Sequence, residues 1–108
     1  MTPFSADAQD EKTQSFVAEY KARHGETPNQ FAADGYDCIY AIYDACLKNG
    51  ITAESKPEEI CEKLIATFTS ADFKIDGLTG TGMGWTTVGE VSKTPMVVEI
   101  SGGAYITK

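Results

Sequence analysis

The chain has 108 residues, 42% of them apolar, with sixteen Asp and Glu against nine Lys and Arg for a formal net charge of −7. That length fits one small α/β domain, and the excess negative charge repels nucleic-acid phosphates and anionic lipid surfaces, which excludes nucleic acid as a partner. No run of about 18 apolar residues exists to span a bilayer, and MTPFSADAQDEK lacks the basic and apolar regions of a signal peptide, so the chain is either cytosolic or separated from a targeting segment.

The first periodic segment runs from Asp7 to His24, with Thr13, Phe16, Val17 and Tyr20 on one face. Its acids (Asp7, Asp10, Glu11) gather at the start and its basic residues (Lys21, Arg23, His24) at the end, as the helix dipole favours, and Gly25 ends it. Glu26-Thr27-Pro28-Asn29 then leads into the longest apolar-rich stretch, Phe31 to Gly50. Asn29 supplies a capping oxygen for this second helix and Gly50 a left-handed stop. Its polar members Asp34, Asp37, Asp44 and Lys48 fall on a stripe only about 80° wide at the helical period. A helix apolar around most of its circumference is expected to be packed on several sides.

A third helix is expected from Ser55 and Glu58, which have capping-box spacing around Pro57, to a point between Thr69 and Ala71. Ile60, Cys61, Leu64, Ile65 and Phe68 would make its apolar stripe. From Gly77 onward glycine, threonine and β-branched residues replace helix formers. Thr79 to Thr86 reads as an irregular strand, Met96 to Ile100 as a strand, and Ala104 to Thr107 as its partner across the Gly102-Gly103 turn.

Several residue groups carry possible chemistry. The cysteines, Cys38, Cys46 and Cys61, form no C-x-x-C pair and are expected to be small buried core residues with free thiols. Gly80-Thr81-Gly82-Met83-Gly84 has phosphate-loop glycine density, but no strand precedes it and no helix follows, so close packing against a neighbour is the better reading. His24, the one histidine, sits at a helix end without an orienting partner, and Asp34 and Asp37 lack further ligands at metal spacing, so no catalytic or metal residue emerges and no cofactor is expected. Tyr36, Tyr40 and Tyr43 recur at helical spacing and are expected in the core. Phe31 stands apart in the first turn, where ligand contacts concentrate in α/β folds.

The order Phe16-Val17-x-x-Tyr20-Lys21, Gly25-x-x-Pro28, Ala32-Ala33-x-x-Tyr36-Asp37, Gly77-Leu78-Thr79-Gly80 and Gly89-Glu90-x-x-Lys93-x-Pro95 with Val97-Val98 resembles the C-terminal third of type I periplasmic binding proteins of the branched-chain amino-acid ABC-transporter group. The resemblance implies part of a two-lobe α/β receptor: residues 1–27 ending the C-terminal lobe, 28–76 forming helices of the N-terminal lobe, and 77–108 a crossing segment and terminal strands. It implies an extracytoplasmic, possibly lipid-anchored, non-enzymatic solute-binding protein that takes a small amino acid or similar ligand and works with a membrane permease. The same fold could instead serve as the sensor of a signalling receptor, although the chain's ending at Lys108 favours the stand-alone form. Among ligand-contact positions only Phe31 carries over, as an apolar contact, with Gln30 and Asp34 beside it. A piece of such a receptor would expose its central helix, so self-association into a dimer or higher oligomer, by direct or domain-swapped pairing, is expected.

Overall fold

Three helices and a terminal hairpin follow one another along the chain: α1 Glu11–His24, α2 Gln30–Lys48, α3 Pro57–Phe68, β1 Val98–Ser101 and β2 Ala104–Thr107. They are described by a computed structural model covering residues 2–108.

Helix α1 starts later than the sequence suggests because Asp10 stops it. The Asp10 side chain accepts from the Thr13 amide at 2.9 Å while its backbone stays extended, leaving residues 7–10 outside the helix. Burial works against the Asp10 carboxylate, but the Thr13 bonds outweigh it and hold its pKa below the usual value. Asp7 reaches the far end of the chain instead, where the Thr107 amide and hydroxyl donate to its carboxylate at 3.0 and 2.8 Å. The Ser5 hydroxyl and these two donors lower its pKa. Gly25, at φ 76°, closes α1.

Helix α2 begins as expected, with the Asn29 side chain accepting from the Ala32 amide at 3.1 Å, and stops at Asn49 before Gly50 at φ 60°. Helix α3 lacks the anticipated capping box. Ser55 Oγ is engaged by the Thr52 amide in the preceding turn, so Lys56 becomes the N-cap without a side-chain bond and Pro57 opens the helix. The helix ends at Phe68, just short of the expected range.

The region expected to be an irregular strand from Thr79 to Thr86 forms only isolated bridges, Ile75 to Met83 and Trp85 to Val91. A turn closed by the Gly77 amide on the Gly80 carbonyl interrupts it, and Gly82 adopts φ 61°. Met96 pairs with Thr2 near the N-terminus rather than with β2, so β1 starts at Val98. The hairpin is as expected: Ser101 pairs with Ala104 across Gly102 and Gly103, whose φ values of 58° and 81° suit a two-residue turn that side-chain-bearing residues resist.

Two cores lie along α2. Ala33 joins Phe4, Val17 and Leu78 in one, flanked by Phe16 and Tyr36. Ala41 and Ala45 join Phe73, Ile75 and Met83 in the other, flanked by Leu64, Phe68 and Trp85. Several expectations about burial fail here. Cys38 and Cys61 are exposed and Cys46 is half-buried, all three as free thiols. Tyr40 and Tyr43 are exposed and Tyr36 only half-buried. On α3, Cys61 and Ile65 face outward, and Thr67 is the residue that buries. On α2 the cause is that the helix turns its small side and Asp37 to the cores and leaves large apolar side chains outside, whereas α3 does pack Leu64 and Phe68 of its expected stripe against the second core.

Candidate functional site

Helix α2 is inverted relative to an ordinary surface helix. Its buried line is Ala33, Asp37, Ala41 and Ala45, spaced four apart and overlapping the narrow polar stripe. Its outer side carries Phe31, Ile39, Tyr40, Ile42, Tyr43 and Leu47, with Phe31 76% and Ile39 67% exposed. Small residues let the C-terminal segment approach the helix closely, and the Asp37 carboxylate is turned inward and fully engaged.

Asp37 is 5% exposed and lies between the two cores. The Leu78 amide donates to its Oδ1 at 2.7 Å, and the Thr79 amide and hydroxyl donate to Oδ2 at 2.8 and 2.7 Å. Its place requires Gly77, since a Cβ there would overlap the carboxylate. Among the described residues no buried side-chain polar atom lacks a partner. The glycine-rich run after it is close-packed: a Cβ on Gly80 would meet the Met83 side chain, and one on Gly84 would meet Lys74. Packing accounts for Gly80 and Gly84, and the left-handed backbone at φ 61° for Gly82, which has open space around it.

The three residues singled out for ligand contact share the start of α2 but differ in engagement. Phe31 touches solvent over most of its surface. Gln30 Oε1 accepts from the Thr2 hydroxyl at 2.7 Å. Asp34 Oδ1 pairs with Lys93 Nζ at 2.6 Å, both side chains being largely covered. Thr2 and Lys93 are what the sequence did not bring to this turn. They lie 28 and 59 residues from their partners along the chain, and no local spacing links them.

Elsewhere, an open groove of about 880 Å³ runs between α1 and α2, walled by Phe16, Tyr20, His24, Tyr36 and Tyr40. The ring of Tyr20 lies 4.5 Å from that of His24, and Tyr36 lies 5.0 Å from Phe16 and 4.7 Å from Tyr40. A hydrogen bond with Tyr40, followed by burial, raises the Tyr36 pKa. Phe31, Gln30 and Asp34 are not among the walls of this groove. Among the described residues no group of three or more His, Cys, Asp or Glu side chains converges as if to hold a metal ion, and no helix is long and apolar enough to cross a membrane.

No family model matches the sequence, and none of the curated proteins is similar enough to count as a relative. Solved structures do match. A Rhodospirillum rubrum protein assigned as a branched-chain amino acid ABC transporter aligns over 99% of this chain at 26% identity and a TM-score of 0.68. A solute-binding protein of an ABC transporter from Rhodopseudomonas palustris BisB5, solved with 3,4-dihydroxybenzoic acid, aligns over 97% at 23% identity and a TM-score of 0.70. The chain has the fold of part of an ABC-transporter solute-binding protein. It spans 29% and 27% of the length of those two structures. The α/β class, three helices followed by an antiparallel hairpin, is that of a piece of the periplasmic-binding-protein fold.

Proposed function

We propose that this chain is one section of an extracytoplasmic solute-binding protein serving an ABC importer, with a small amino acid or similar compound as ligand and a membrane permease as partner. What supports the reading most is that nearly the whole chain aligns with two such proteins while covering under a third of either. The inverted α2 is consistent with it. Its outer face, from Phe31 to Leu47, is of a kind that further polypeptide covers, because large contiguous apolar patches are uncommon on free-standing domains.

In this reading Phe31, exposed at the start of α2, contacts the apolar part of the ligand, with Gln30 and Asp34 beside it. Residues 1–27, 28–76 and 77–108 are distributed over a two-lobe receptor. Val17 of α1 and Ala33 of α2 share one core, so the two segments meet directly where the chain passes from 1–27 to 28–76. Ligand is held by enclosure and released without covalent chemistry.

The test is calorimetry on the complete binding protein with L-leucine and 3,4-dihydroxybenzoate as probes. Phe31→Ala is expected to weaken binding of whichever probe is taken by about 1 to 3 kcal/mol through lost apolar contact. Unchanged affinity in a correctly folded variant would remove Phe31 from the site. The 108 residues alone are expected to bind neither probe, since part of a cleft does not enclose a ligand.

A further inference from the structure

The first turn of α2 is tied to two chain segments that are also tied to each other. Thr2 and Met96 exchange two backbone hydrogen bonds, Thr2 amide to Met96 carbonyl at 3.1 Å and Met96 amide to Thr2 carbonyl at 2.8 Å. They form a ribbon of two extended segments remote in sequence. Each segment then sends one polar side chain to α2, and the Thr2 segment is held there as well by Phe4, which shares a buried core with Ala33. The Thr2 hydroxyl reaches Gln30, and Lys93, three residues before Met96, reaches Asp34. Gln30 and Asp34 are four apart and therefore stacked on the same side of the helix.

We infer that the Asp34–Lys93 ion pair, with the Gln30–Thr2 hydrogen bond, is a latch that fixes this ribbon to the start of α2, so that the helix turn carrying Phe31 and the ribbon shift together. The loop around Lys93 has little else to hold it. Residues 86–92 are exposed and bonded only locally, Thr86 with Gly89 and Glu90, and Ser92 with Gly84 through both its amide and its hydroxyl, and Gly89 stands at φ 86°. Lys93 is the half-buried point at which this exposed stretch is anchored back onto α2. The pair is also better placed than the other ion pairs described. Its side chains are 25% and 30% exposed, whereas Arg23–Glu19, Lys63–Glu59 and Lys108–Glu99 are more open to water. Screening by solvent is correspondingly weaker. Without the latch the Lys93–Met96 segment is free to peel from the Thr2 segment, which Phe4 holds in the core beside Ala33; that breaks the two Thr2–Met96 backbone bonds and leaves the Asp37 contacts to Leu78 and Thr79 intact, because those belong to the packed middle of α2.

That separation gives the test, amide hydrogen exchange by NMR on the 108-residue chain. Asp34→Asn and Lys93→Met are each expected to speed exchange of the Met96 amide about tenfold while leaving the Leu78 and Thr79 amides unchanged, the signature of local rather than global opening. The charge-reversed pair, Asp34→Lys with Lys93→Asp, is expected to restore Met96 protection to within about twofold of the original. Two results would overturn the latch: a Met96 amide indifferent to both single substitutions, or Leu78 and Thr79 accelerating as much as Met96, which would make the pair a general stabiliser.

Discussion

Asp37 is the side chain on which the interior depends most. It joins the segment after α3 to the middle of α2 through three short hydrogen bonds, in a position where water cannot replace them. Asp37→Ala leaves the Leu78 and Thr79 amides buried and unpaired, a loss of about 2 to 4 kcal/mol in unfolding free energy. Urea denaturation with an unchanged slope measures it, and a loss under about 0.5 kcal/mol would mean that the three bonds are replaceable. The sequence placed Asp37 on the polar stripe but could not say that Asp37 points inward while Asp44 and Lys48 of the same stripe stay exposed. Helical periodicity reports which residues share a side, not which side meets the rest of the molecule, and only Leu78 and Thr79, more than forty residues away, decide that.

At the scale of elements, the helices were legible where their ends carry local chemistry. Asn29 before α2, Gly25 after α1 and the Gly102-Gly103 turn all act through near neighbours, and each is found in its expected role. The failures arise where a distant or competing partner intervenes. Ser55 has the spacing for a capping box, but the Thr52 amide claims its hydroxyl, and Met96 pairs with Thr2 across the length of the chain. The first of these leaves α3 with a defect that can be repaired. Lys56 caps the helix without a side-chain bond and brings a positive charge to the positive end of the helix dipole. Lys56→Ser supplies the missing acceptor and is expected to stabilise the fold by about 0.5 to 1 kcal/mol, visible as a higher urea midpoint. A lower midpoint would show that the Thr52–Ser55 turn, rather than the cap, governs the start of α3.

The whole molecule is extended for its size, with a radius of gyration of 15.9 Å and axes of 49, 29 and 19 Å. A compact chain of this length would have a radius near 13 Å by the usual scaling. Its accessible surface of 7309 Å² exceeds by about 1,500 Å² what a compact monomer of the same mass presents. Much of what is exposed is apolar: Phe31, Ile39, Ile42, Tyr43 and Leu47 on α2, Ile65 on α3, and Val97, Ile100 and Tyr105 around the hairpin. An excess of that order on one chain is about twice the roughly 800 Å² that each partner buries in a standard protein interface. The sequence signalled this through a helix too apolar for the single small domain that its length allows. What covers the face was not legible, because helical periodicity shows that a side is apolar and not what lies against it.

The central claim is that the outer face of α2 is an interface surface and not the finished exterior of a free-standing domain. Light scattering on the isolated 108-residue chain at tens of micromolar tests it most directly. The account predicts a mass of at least twice that of the chain, falling toward the monomer value when Ile39 and Leu47 are both replaced by lysine. A monomeric mass for the unsubstituted chain at that concentration would contradict it.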